Sequence, residues 1–103
     1  MEHKEYHVIV SDRAASELRN HVRFLARVSP DAAKRLHKEI IDEIKTLSFM
    51  PERYPWVIQD EIPKNKYRKK IVSKRYLLIF QIRDDKVYID YILDCRQDYT
   101  WLL

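Results

Sequence analysis

The stretch from Tyr67 to Leu93 constrains this chain most, because it reads as three consecutive strands. YRKKIV, RYLLIFQIR and VYIDYIL are β-branched and aromatic runs of strand length. Asp84, Asp85 and Lys86 supply a short turn between the last two. Side chains alternate along a strand, so Tyr76, Leu78, Phe80 and Ile82 share one face of the middle run. Leu77 and Ile79 make the start of its other face apolar as well, which places this strand at the centre of the sheet. By the same alternation Val87, Ile89, Tyr91 and Leu93 are expected to continue a buried face beside it, with Tyr88, Asp90 and Ile92 opposite. A meander of this kind needs a second layer to cover its apolar face.

The first half of the chain supplies that layer. Tyr6 to Val10 reads as a short strand, and Ser11 or Asp12 then caps a helix. From Arg13 onward Ala15, Leu18, Val22 and Leu25 recur at helical spacing, while Arg19, Asn20 and Arg23 face water. Ser29 followed by Pro30 starts a second helix, with proline where its missing N–H is no loss. Ala33, Leu36, Ile40, Ile44 and Leu47 form its apolar stripe, and a short turn makes the two helices an antiparallel hairpin. The three prolines between Ser48 and Lys66 deny helix, yet Tyr54, Trp56, Val57 and Ile62 can pin that connection to the body. The predicted architecture is α+β in two layers. An N-terminal strand and helical hairpin pack on a mainly antiparallel sheet with a C-terminal three-strand meander, all within one domain spanning residues 1–103.

Charge supplies the functional clue. Lys64, Lys66, Arg68, Lys69, Lys70, Lys74 and Arg75 put seven cations into twelve residues without one acid. The whole chain carries a formal charge of +4, and without these seven it holds 13 basic against 16 acidic residues. Positive charge is therefore expected to be localised there, and localised cations suit an anionic partner such as nucleic acid or an acidic protein segment. The alternative is structural: Arg68 and Lys70 as the solvent face of an edge strand, and Lys69, on the face of Tyr67 and Ile71, snorkelling at the rim. Arg96 and Asp98 could simply pair with each other, and Tyr99 and Trp101 could pack.

Several classes drop out. Cys95 is the single cysteine, so no internal disulfide forms, and a reducing compartment is expected. His3, His7, His21 and His37 show no metal spacing, and all four read as structural. Glycine is absent, which excludes Gly-rich phosphate loops, and no cofactor is expected. No apolar run approaches the ~20 residues of a membrane span, so a cytoplasmic protein without a membrane partner is expected.

The element order, together with LxxxPERYPxV after the second helix, YRKKIVSKRYLLIFQI at the central strands and ILDCRQDY at the end, resembles the RelE/ParE superfamily of bacterial toxins. The resemblance covers nearly the whole chain and implies a type II toxin–antitoxin module: a small basic toxin held inactive by a cognate antitoxin. One branch of the superfamily cuts messenger RNA on the ribosome; the other inhibits DNA gyrase. For the nuclease branch the resemblance implies catalytic roles for Arg68, Lys70 and Arg96, with Tyr99 as a tail tyrosine. Metal-free cleavage needs groups that activate the 2′-hydroxyl, stabilise the phosphorane and protonate the leaving oxygen. Leu77 stands where that pattern has an arginine, and Arg75 lies nearer the strand entrance. This departure favours the ParE-like side, in which Lys64, Lys66, Arg68, Lys70, Lys74, Arg75, Arg96 and Trp101 would contact the target or the antitoxin. A ribosome-dependent mRNA endoribonuclease is the alternative, and a basic nucleic-acid-binding domain a third reading.

Overall fold

The computed structural model describes residues 4–60 and 62–95; Arg96, Tyr99 and Trp101 lie outside the described residues. The elements are β1 (His7–Val10), α1 (Asp12–Ala26), α2 (Pro30–Thr46), a single 3-10 turn at Pro51–Arg53, β2 (Arg68–Val72), β3 (Tyr76–Arg83) and β4 (Lys86–Asp94). One four-stranded sheet has the order β1-β4-β3-β2. The last three strands form the expected antiparallel meander, and β1 joins its far edge parallel to β4, with Val10 opposite Ile89. The fold is thus the two-layer α+β architecture read from the sequence.

Local chemistry explains the helices. Ser11 is the N-cap of α1, its Oγ accepting from the Ala14 N–H at 3.0 Å. Ser29 does the same for α2 from Ala32 at 3.2 Å, with Pro30 at the first helical position. Each such cap contributes about 1 kcal/mol. The α2 stripe is buried as expected, from Ala33 to Leu47. In α1 the buried alanine is Ala14 rather than Ala15, because Ala14 lies one turn before Leu18 and so shares its face. These stripes meet Val72, Tyr76, Leu78, Phe80, Val87, Ile89 and Ile92 in one core.

The face expected for β4 is correct only at its start. Ile79 pairs with Tyr91 but Phe80 pairs with Ile89, so Asp90 is an extra residue in a β-bulge. The bulge reverses the alternation. Val87, Ile89 and then Ile92 enter the core, while Tyr91 and Leu93 fall on the opposite face beside Ile79 and Leu77. Asp90 is held by Gln81 Nε2 at 2.6 Å, and its carbonyl accepts from Ser11 Oγ at 3.2 Å. Tyr67 and Tyr91 stack edge-on beside it, and Arg13 donates to the Tyr91 hydroxyl at 3.2 Å. Burial, then the charge of Asp90, holds the Tyr67 phenol above its ordinary value.

Past the bulge β1 has ended, and α1 takes over the open edge of β4. Glu17 Oε1 accepts from the Ile92 N–H at 2.9 Å, and His21 Nε2 donates to the Ile92 carbonyl at 2.8 Å. Glu17 and His21 are four residues apart on one helix face, so together they satisfy both exposed backbone groups of Ile92. At the other edge the connection after α2 does the same work. Val57 N–H donates to the Tyr67 carbonyl at 2.7 Å and Lys69 N–H to the Pro55 carbonyl at 3.0 Å. Tyr54 packs edge-on against Phe80, and Ile62 is buried. The described part of the proline-rich stretch is thus a strap pinned to the sheet edge.

Candidate functional site

β2 carries most of the predicted site, and its orientation differs from both sequence readings. Val72 enters the core, so Arg68 and Lys70, at two-residue spacing from it, point to the helix side. Lys69 and Ile71 point away and are exposed. Lys69 therefore does not snorkel over a covered rim, and Arg68 and Lys70 are not a solvent face.

The charged ends of both residues are engaged. Arg68 Nη1 donates to the Glu52 carbonyl at 2.9 Å and to the Tyr54 carbonyl at 2.7 Å. Its guanidinium lies 3.7 Å from the centre of the Trp56 ring. Lys70 forms an ion pair with Glu43, donates to Thr46 Oγ1 at 2.8 Å and sits over the Tyr54 ring, its side chain only 11% exposed. Both cations thus clamp the strap and α2 to the sheet edge. Burial pushes the Tyr54 phenol up, but hydrogen bonds and charge from Lys70 and Arg53 outweigh it, and the phenol sits below its ordinary value.

Arg75 is engaged as well. Its Nε and Nη2 donate to one oxygen of the buried Asp94 at 3.2 and 3.0 Å. This pair joins the starts of β3 and the end of β4, and Arg75 also covers the Tyr76 ring at 5.2 Å. Leu77 pairs with Leu93 and Ile71 on the far face, which it shares with the exposed Lys69. Of the seven cations, Lys64 and Lys66 in the strap, Lys69 on the outer face of β2 and Lys74 in the β2–β3 turn remain exposed, Lys66 lying over the Tyr67 ring. Arg96, Tyr99 and Trp101 fall outside the described residues. Cys95 is a free, exposed cysteine whose thiol is pushed up by burial and by the charge of Asp94, the reverse of an activated thiolate. No cluster that could hold a metal ion occurs among the described residues.

A second cationic surface escaped the sequence reading, which placed positive charge in one stretch. Residues 19–38 carry six cations, Arg19, Arg23, Arg27, Lys34, Arg35 and Lys38, against the single acid Asp31. All six are exposed at the α1–α2 end of the molecule. Lys38 pairs with Asp42; the other five make no side-chain hydrogen bond or ion pair among the described residues. Between them stand Phe24 and Val28, 61% and 80% exposed. A count of charge over this window would have found the surface.

Strand, helical hairpin and meander in this order are the architecture of a RelE/ParE-like fold. The chain belongs to the ParE toxin family: a model described as the ParE toxin of the type II toxin–antitoxin system parDE matches residues 8–99. A solved chain described as the chromosomal ParDE TA system from P. aeruginosa shares the fold, with a TM-score of 0.71 at 15% identity, over 87% of this chain and 96% of that one. No match was found among curated protein sequences.

Proposed function

We propose that this ParE-family toxin arrests growth by occupying a cytoplasmic protein target, DNA gyrase, rather than by cutting RNA, and that its cognate antitoxin neutralises it by covering the same molecule. One observation carries the choice: Arg68 and Lys70, the two described cations that a nuclease of this superfamily would use, are turned into the protein, Lys70 onto Glu43 and Thr46, and Arg68 with Nη1 on two backbone carbonyls and its Nε buried without a hydrogen-bond partner among the described residues. A transition-state cation must be aimed at the developing phosphorane charge. Here the guanidinium is held against two carbonyls and an indole, and the ammonium is bound to α2. Leu77 stands at the third position, Arg75 is paired with Asp94, and the exposed Lys69 lies on the other face of β2 from Arg68 and Lys70.

The test compares the two activities in purified components. The expected outcome is inhibition of gyrase supercoiling with ribosome-bound messenger RNA left intact, and Leu77→Arg does not confer cutting. Site-specific cleavage in the ribosomal A site by the unaltered protein would overturn the proposal.

A further inference from the structure

We infer that the exposed end of the α1–α2 hairpin is the surface that grips the toxin's protein target, by taking up an acidic, partly apolar segment of it. This rests on the target-binding reading above and adds where the target is held. Three observations converge on it.

The first is position. The Tyr76 ring lies 5.1 Å from that of His21, and Ser73 contacts Glu39, which marks where the end of the sheet meets the hairpin. Pro30 is nine residues before Glu39, so at 1.5 Å per residue α2 runs on for about 13 Å beyond that contact. The second is charge. Arg19, Arg23, Arg27, Lys34 and Arg35 face water without an acidic partner among the described residues, whereas Arg68, Lys70 and Arg75 are all paired. Helical spacing puts Arg19 and Arg23 in one row along α1, with Arg27 at its C-cap. A neighbouring row holds Asn20, Phe24 and Val28.

The third is the apolar centre. Phe24 and Val28 are far more exposed than aliphatic and aromatic side chains on a helix ordinarily are when they serve the core. Exposed apolar side chains interspersed with arginines are the composition of a protein interface, where aromatic residues and Arg are enriched and charge lies at the rim. Duplex DNA would use the cations through its phosphates and leave the apolar pair without a role. The chain's own C-terminal sequence, RQDYTWLL, has one acidic side chain beside one arginine and cannot balance five cations. The occupant is therefore acidic and brings an apolar residue.

Two double variants, Arg23→Glu with Arg27→Glu and Phe24→Ser with Val28→Ser, separate the possibilities. Both sets are exposed, and an unchanged unfolding midpoint confirms the fold; if either set unfolds the protein, Arg19→Ser with Arg35→Ser takes its place. Each is assayed for growth arrest on expression, for binding to purified gyrase and to the cognate antitoxin, and for binding to short duplex DNA. The expected result is at least about a tenfold loss of gyrase affinity and of toxicity for both doubles, with antitoxin affinity unchanged, a tenfold change corresponding to ~1.4 kcal/mol. If wild type arrests growth without touching gyrase, yet both doubles lose toxicity, the surface stands and only the identity of the target fails. Doubles as toxic as wild type overturn the inference. So does an equal loss of antitoxin affinity, which would assign the surface to the antitoxin. Loss from the arginine pair alone, matched by lost DNA binding, would assign it to nucleic acid.

Discussion

At Arg68 a single guanidinium joins three parts of the chain. It takes the carbonyls of Glu52 and Tyr54, stacks on Trp56 and stands in β2, so the strap cannot leave the sheet edge without stripping a charge of its partners. Hydrogen bonds to a charged group are worth about 1.5–3 kcal/mol, and the carbonyls left behind add to the loss. Arg68→Ala is therefore expected to lower stability by about 2–3 kcal/mol in denaturant unfolding. Arg68→Lys should recover part of this, since lysine keeps the charge and can donate to the carbonyls but lacks the planar guanidinium that stacks on the Trp56 indole. A variant that unfolds like wild type while losing toxicity would instead mark Arg68 as a contact residue. The charge at position 68 was legible in the sequence; its direction was not. Residues 68–70 are all cationic, and Ile71 and Val72 are both apolar, so either register of alternation reads as sensible. Only the packing of Val72 against the helices decides it.

At the scale of elements, the meander's turns and edges carry their own constraints. Ser73 and Lys74 lie in the three-residue connection from β2 to β3 with φ of 54° and 60°; the Arg75 N–H donates to the Val72 carbonyl at 3.2 Å and closes a turn whose two central residues are both left-handed. The chain has no glycine to place there. A left-handed L-residue costs roughly 1–2 kcal/mol, and glycine returns part of that gain as unfolded-state entropy. Lys74→Gly is therefore expected to stabilise the protein by about 0.5–1 kcal/mol, visible as a raised midpoint of unfolding. Ser73→Val should do the opposite, because a β-branched residue is poorly accommodated there.

The edge of β4 makes a pH-dependent case. Burial pushes the Glu17 carboxyl above its ordinary value, against the opposing pull of the Ile92 N–H, His21 and Arg13. A carboxyl raised on folding favours the native state when protonated, and that contribution is lost as pH climbs through the raised value. Glu17→Gln keeps an oxygen for the Ile92 N–H and removes the buried charge. It is expected to raise the unfolding midpoint at neutral pH, and the advantage should vanish well below the ordinary carboxylate range. A midpoint lowered at neutral pH would mean that the ion interactions with His21 and Arg13 outweigh desolvation. Neither the bulge at Asp90 nor this edge could be read from the sequence, since unbroken alternation through VYIDYIL already gives an apolar face, Val87, Ile89, Tyr91 and Leu93, and nothing in it announces an extra residue. The helices were legible because a 3.6-residue stripe beginning at a serine cap fits one face only.

For the whole molecule, the order of elements was legible because each half exposes an apolar face that the other must cover. The parallel pairing of β1 with β4 was not. A four-residue strand has too few side chains to declare its neighbour, and its place follows only from the hairpin that carries the chain back across the sheet. What the assembled molecule presents is two cationic surfaces. The hairpin end carries unpaired arginines, and the sheet edge carries Lys64, Lys66, Lys69 and Lys74, the lysines left over once Arg68, Lys70 and Arg75 are engaged. An antitoxin that neutralises the proposed activity by binding the sheet edge would meet those four lysines with an acidic segment. Exposed pairs of this kind are screened over about 10 Å near 0.1 M salt, so affinity for the antitoxin should fall as salt rises. Combining Lys64→Ser, Lys66→Ser, Lys69→Ser and Lys74→Ser should weaken the complex at low salt by about tenfold or more and flatten its salt dependence, most of the effect falling on the association rate. Arg68→Ala with Lys70→Ala should act on this complex mainly through lost stability, because their charges are turned onto the strap, α2 and Trp56. A quadruple variant with wild-type affinity and salt slope would place the antitoxin elsewhere, and a complex insensitive to salt would make it an apolar contact rather than an electrostatic one.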